Sequence, residues 1–274
     1  MNTLGVNSTP ASLNDLITKI QSISSSSANL EIKEDSTAKK PQEELIISSL
    51  SSVSNSSILA TLSTKIPTFT GDQFKQLYQS QKLPNTIESQ NVPEVTGYLL
   101  IDEYIRNMAV KRGFVKQPLP DESKLITVQN YKVQPQAGNA FLKIQELALK
   151  DNIRITLVSA YRSPIEQKAI FAPILPQTYY EEDLLAGGLD KVLNEGMDTI
   201  APPGFSRHHT GYAMDFGCDT LEVTKFRETP CYAWLKKDNF KVLVDNNLIP
   251  SYPEGTTNQG PAPEEWEFVW VEKI

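Results

Sequence analysis

The stretch SRHHTGYAMD, residues 206–215, holds both histidines of the chain, His208 and His209, and ends on Asp215. The simplest geometry for it is a loop carrying His208 into a strand carrying Asp215. Side chains alternate along a strand, so Ala213 and Asp215 would share one face while Tyr212, Met214 and Phe216 take the other. The small Ala213 leaves room for an ion beside the aspartate, and Gly211 permits a tight turn. Imidazole and carboxylate are both competent zinc ligands. On spacing alone, however, a His and an Asp this close are more often a surface or capping pair, so the surroundings must decide.

Working outward, the run IRITLVSA at residues 153–160 is β-branched and alternating, which predicts a strand ending just before Tyr161 and Arg162. WEFVWV at residues 266–271 alternates in the same way. Helical spacing predicts helices over residues 99–112, 140–150, 165–171 and 233–246. Helices and short strands are mixed without regular βαβ alternation. That pattern implies an α+β fold, a small antiparallel sheet carrying the site and flanked by helices.

Composition divides the chain of 274 residues near position 66. Residues 1–65 are Ser-rich, with segments such as SISSSSANL, and poor in the large side chains that fill a core. Part of this extension has helical character, since Leu13, Leu16, Ile17, Ile20 and Ile23 fall at helical spacing behind Ser12. It is read either as a helix packing on the main domain or as a docking segment for a delivery partner. Residues 66–120 are expected to be a helical lead-in packed on a catalytic domain at 121–274.

The formal net charge of -7 argues against a nucleic-acid partner, because phosphate backbones are held mainly by Lys and Arg. No apolar run approaches the roughly 20 residues that span a bilayer. The N-terminal residues have neither the basic start nor the apolar core of a secretory signal. The expectation is therefore synthesis in the cytoplasm. Two cysteines, Cys218 and Cys231, cannot form a disulfide framework. The favoured reading is two thiols in a reducing compartment; a single bridge is the alternative if the protein works outside the cell.

Ser206-x-His208-x-x-Gly211-x-Ala213-x-Asp215 resembles the metal-binding motif of the VanY-like D-alanyl-D-alanine carboxypeptidase family, part of the wider lysostaphin and hedgehog group of zinc peptidases. Ser159-Ala160-Tyr161-Arg162-Ser163, followed by Gln167, resembles that family's substrate-binding segment. Glu264-Glu265-Trp266-Glu267 resembles its closing Glu-x-Trp-His motif. The resemblance implies one divalent metal, zinc, on His208 and Asp215. It also implies Glu264 as general base and Arg162 at the scissile carbonyl or substrate carboxylate, where its cationic fork suits a developing oxyanion. Ser206, Gln167, Tyr161 and Ser159 would contact the peptide. Without the motif, Arg162 would be read as an ion pair bridging strand and helix.

The sequence departs from the family at its third ligand, where Glu267 stands in place of histidine. His209 adjoins His208, and in an extended stretch the two would point to opposite faces. Cys218, three residues past Asp215, also points away. Glutamate is a known zinc ligand, so Glu267 is the best candidate. One His with two carboxylates neutralises a divalent ion, whereas two His with one carboxylate leave it positive. The site should then be a weaker Lewis acid, or prefer a harder ion such as manganese. Three readings follow. The first is a working peptidase with a His-Asp-Glu site, the second a relative that binds cell-wall peptide without cutting it. In the third, Glu267 merely caps or pairs with Arg162 in a structural module. The first leads, because every other motif position is kept.

The implied substrate is the stem peptide of bacterial peptidoglycan, which lies outside the cytoplasm, so the resemblance implies delivery to the periplasm or wall by other machinery. A carboxypeptidase trimming D-alanine is the leading expectation, and an endopeptidase delivered by phage-like machinery the alternative. Residues 179–194 would close the groove in the former.

Overall fold

The structure, a computed structural model, describes residues 71–88, 92–176, 187–219, 223, 225–253 and 255–272. The Ser-rich extension, and the helix expected around Leu13 to Ile23, lie outside the described residues.

The centre is a four-stranded antiparallel sheet of order β5-β6-β8-β7. These strands are β5 (Ile155–Ser159), β6 (Ala213–Cys218), β7 (Leu248–Pro250) and β8 (Glu267–Trp270). Two small antiparallel pairs accompany them: β1 (Thr86–Ile87) with β2 (Leu119–Pro120), and β3 (Ile126–Val128) with β4 (Tyr131–Val133). The helices are α1 (Gly71–Ser80), α2 (Leu99–Lys111), α3 (Pro135–Lys150), α4 (Pro164–Phe171), α5 (Gly188–Met197), α6 (Pro230–Leu235) and α7 (Lys237–Val244). The expected α+β class is what the chain adopts.

Alternation along β6 sorts its side chains as expected. Met214 and Phe216 are buried in the core with Phe141 and Ile144 of α3, while Asp215 faces the opposite side. Phe216 sits between Phe141, at 5.1 Å between ring centroids, and Phe268, at 4.7 Å. Such aromatic contacts add to the burial of large apolar surface, so Phe216→Ala should cost about 3–5 kcal/mol. Phe74 and Leu77 of α1 join this same core, which ties the lead-in to the sheet. A second core gathers Ile105 of α2, Phe171 of α4 and Leu193 of α5.

The helix expected over residues 233–246 is broken in two. Asp238, Asn239 and Phe240 all have φ between 52° and 61°, in the left-handed region. Asp and Asn tolerate that region better than most residues. Phe240 is turned so that its ring meets Tyr232 at 5.8 Å, and this tertiary contact overrides the helical periodicity.

The cysteines also depart from the favoured reading. Cys218, at the end of β6, is bridged to Cys231 of α6. Cys218 lies on the core-facing side of β6, opposite to Asp215, and α6 packs there. A loop of this length gave no sign in the sequence that its ends meet.

Candidate metal and peptide site

The register of the sheet assembles the site. Asp215 is the Cα partner of Ser159 on one side and of Glu267 on the other, so three motif residues form one row across β5, β6 and β8. Residues directly opposed in a sheet share a face. The shift in register between Leu157 and Ser159 is what brings Ser159 into line.

His208 enters from a 3-10 turn, Arg207–Thr210, which leads into β6. The turn closes at Gly211, with φ of 72°, where a side chain would be strained and would press on Gln134 and Leu125. His208 Nδ1 lies 2.7 Å from the carbonyl of Ala160. A carbonyl only accepts, so Nδ1 carries the hydrogen, and in the neutral ring Nε2 presents its lone pair to the site. That Nε2 is 3.4 Å from Asp215 Oδ2 and 3.5 Å from Glu267 Oε2.

His208, Asp215 and Glu267 each offer one ligand atom, and these atoms lie within 4.8 Å of one another. Asp215 Oδ1 is buried and has no hydrogen-bond partner among the described residues. An orphaned carboxylate oxygen beside a second carboxylate and a prepared imidazole is an arrangement that a cation would complete. One imidazole with two carboxylates is a donor set zinc accepts. Nothing in the site singles out manganese.

His209 is excluded for a reason the sequence did not supply. The two histidines share a tight turn rather than an extended stretch. Both ring nitrogens of His209 are engaged: Nδ1 donates to the Arg162 carbonyl at 2.7 Å, and Nε2 accepts from the Gly204 amide at 2.9 Å. Burial is the main cause holding its pKa down at about 4, so it stays neutral. His209 thus fastens the turn to the segment that carries Arg162.

Glu267 does not pair with Arg162. Its Oε1 accepts from Arg207 Nε at 2.7 Å, and both side chains are buried, 3% and 11% exposed. Sequence reasoning missed Arg207, the unassigned position between Ser206 and His208. Burial alone would raise the Glu267 pKa, but Arg207 and His208 together lower it, so the carboxylate is held ionised. For His208, burial opposes the charged ring most strongly, yet Asp215 and Glu267 outweigh it and the pKa is raised.

Glu264 lies one turn before β8, its carbonyl accepting from the Glu267 amide at 3.1 Å. Its carboxyl lines the same cleft as the three candidate ligands. Burial, then the charges of Glu267 and Asp215, push its pKa up to about 8. Glu265, by contrast, is paired with Arg227.

Arg162 stands three residues past the end of β5. Ser163 and Glu166 form a reciprocal capping box, and Pro164 opens α4, so the chain must turn from strand to helix at this point. Arg162 Nη1 donates to Gln167 Oε1 and Nη2 to Ser159 Oγ, both at 3.1 Å. Gln167 Nε2 donates to the Ala201 carbonyl. The amide of Gln167 is therefore committed within the protein, and both Gln167 and Ser159 hold Arg162. Ser206 is buried and lines the cleft. Tyr161 is not brought to the site: its hydroxyl donates to Glu122 at 2.7 Å, away from the cleft.

His208, Asp215, Glu267, Glu264, Arg162 and Ser206 line a cleft of about 280 Å³. The lead-in lines it too, through Phe74 and Tyr78 of α1 and Gln117 before β2. Of residues 179–194, expected to close the groove, 179–186 lie outside the described residues, Gly187 caps α5 and 188–194 belong to it.

A sheet and its adjoining turn that gather His208, Asp215 and Glu267 as candidate ligands beside the carboxyl of Glu264 have the make-up of a metallopeptidase site. The family model for VanY, D-alanyl-D-alanine carboxypeptidase, matches residues 130–273, just over half of the chain. The chain belongs to this family. No curated protein matches it. Among solved structures it is similar to the LdcB LD-carboxypeptidase, at 23% identity and TM-score 0.44, covering 57% of this chain and 70% of that one. It is also similar to a vancomycin-resistance D,D-pentapeptidase, VanY, in complex with Zn(II), at 20% identity and TM-score 0.43 (59% and 88% covered). A third is DacB from Streptococcus pneumoniae, at 18% identity and TM-score 0.37 (57% and 73% covered).

Proposed function

We propose that the protein is a zinc-dependent carboxypeptidase that removes a terminal D-alanine from peptidoglycan stem peptides. Family membership supports the reaction class. The observation that carries the site assignment is the convergence of His208, Asp215 and Glu267 within 4.8 Å, beside Glu264, in one cleft.

When bound, zinc would activate water and polarise the scissile carbonyl. Glu264 accepts the proton of the attacking water and passes it to the leaving amine. A carboxyl poised near neutral pH is suited to both halves of that task, and the metal's charge would bring its pKa down from the metal-free value. Arg162, held in one orientation by Gln167 and Ser159, offers a fixed cation to the developing oxyanion or to the substrate's terminal carboxylate. Ser206 offers its hydroxyl to the peptide. Phe74 and Tyr78 of α1 add apolar surface to the cleft that would receive the peptide.

The Cys218–Cys231 bridge supports action in an oxidising compartment, where stem peptide is also found. No helix among the described residues is long and apolar enough to cross a membrane. We keep residues 1–65 as the candidate segment for a delivery partner, to be tested by deleting them and following export.

Purified protein should be incubated with a stem pentapeptide ending in D-alanyl-D-alanine and the products weighed by mass spectrometry. Loss of one D-alanine that stops with a chelator and returns with zinc is expected. No product with any added divalent ion would sink the reading.

A further inference from the structure

Glutamate at a position where the family carries histidine adds a negative charge to a buried site. The structure contains a group placed to cancel that charge. Arg207 Nε is 2.7 Å from Glu267 Oε1, whereas Glu267 Oε2 faces His208 Nε2 at 3.5 Å. One carboxylate oxygen is tied down and the other is presented to the ligand cluster. The guanidinium is itself fixed, with its centre 4.4 Å from the Tyr252 ring and 5.5 Å from the Phe74 ring. Arg207 also immediately precedes His208 in the same 3-10 turn, and Thr210 Oγ1 donates to the Arg207 carbonyl at 2.8 Å. The turn that delivers one ligand thus delivers the clamp on another.

We propose that Arg207 is a positioning residue for Glu267, and that the two act as one unit, a charge-cancelled carboxylate standing in for a neutral imidazole. This rests on the metal-site reading above. With a divalent ion bound, two carboxylates, one neutral imidazole and one guanidinium leave the same net charge as two imidazoles and one carboxylate. The unit thereby offsets the extra negative charge that a Glu ligand brings to the site. Buried charges are tolerated when paired in good geometry, and removing one member strands the other. Phe74 belongs to α1, before the matched family segment, so the lead-in helps to hold the clamp.

The unit predicts a specific pattern in a double-mutant cycle on the full chain. Glu267→His alone looks like a restoration of the family ligand set. It should instead bind zinc at least tenfold more weakly than Glu267→His combined with Arg207→Met, because Arg207 is left buried beside the ion without its counter-charge. Each single variant should also melt lower than wild type when metal-free, and the double variant should recover most of that loss. Competition with a chromophoric chelator gives the zinc affinities. Equal zinc affinity of Glu267→His with and without Arg207→Met would overturn the unit while leaving the metal site standing. Wild type that takes up no zinc would overturn both. Should Glu267→His fail to fold, Glu267→Gln with and without Arg207→Met asks the same question, with the same order expected and equality again fatal.

Discussion

Asp215 and Glu267 are directly opposed across the antiparallel pair of β6 and β8, and both carboxylates turn toward the imidazole of His208. Like charges facing each other in a sheet are destabilising, and here the pair is largely buried. Arg207 relieves one of the two. The other, with an orphaned oxygen on Asp215, is left for a cation, and this imbalance is the physical reason the site should take up metal.

If Glu264 moves the proton, Glu264→Gln should lower turnover of a D-alanyl-D-alanine peptide by roughly 10²–10⁴-fold, the usual range for a general acid–base. Zinc content should be unchanged, because Glu264 is not in the ligand cluster. Parallel measurement of kcat and bound zinc checks this. Loss of zinc with activity would make Glu264 a ligand instead.

The same carboxyl makes metal-free stability depend on pH. Its pKa rises on folding from an ordinary 4.5 to about 8, so folding favours the protonated form. That contribution is complete below about pH 4.5 and is lost as pH rises through about 8. Glu264→Gln cannot ionise, so the metal-free variant should match wild type near pH 4.5 and exceed it at pH 8 by roughly 1–3 kcal/mol. Denaturant melts of both proteins at the two pH values read the difference directly. A gap that does not widen with pH would contradict the burial of this group.

Arg162→Lys keeps a positive charge but loses the fork that holds Gln167 and Ser159. Activity on the peptide should fall by about 10²–10³-fold, as when an oxyanion-stabilising donor is removed. Zinc affinity should not change. Steady-state kinetics with a zinc titration separates the two, and undiminished kcat/KM would remove Arg162 from the substrate site.

Reducing the Cys218–Cys231 bridge, which closes a separation of 13 residues, should cost about 2–3 kcal/mol. Thermal melts with and without reductant, alongside Cys231→Ala, test it. Unchanged melting temperature in all three would mean that the bridge does not form in solution.

The amino-acid sequence by itself determined the parts whose logic is local. Alternation in residues 153–160 and 266–271 marked the outer strands of the site. The spacing from Ser206 to Asp215 placed His208 on a turn and Asp215 on a strand, and the motifs at Arg162 and Glu264 named the remaining members. What the tertiary structure decided is every relationship that depends on register and burial between distant segments. Arg207 meets Glu267 across 60 positions of chain only because β6 and β8 pair as they do. Cys218 reaches Cys231 only because α6 packs beneath the sheet. Tyr161 turns to Glu122, and His209 is consumed as a fastener, because neighbouring elements offer them partners that no short-range pattern records. Side-chain direction follows from the backbone's own period, but the identity of a buried charge's partner is set by which surfaces fold together, since a charge taken out of water must find its counter-charge wherever the fold provides one.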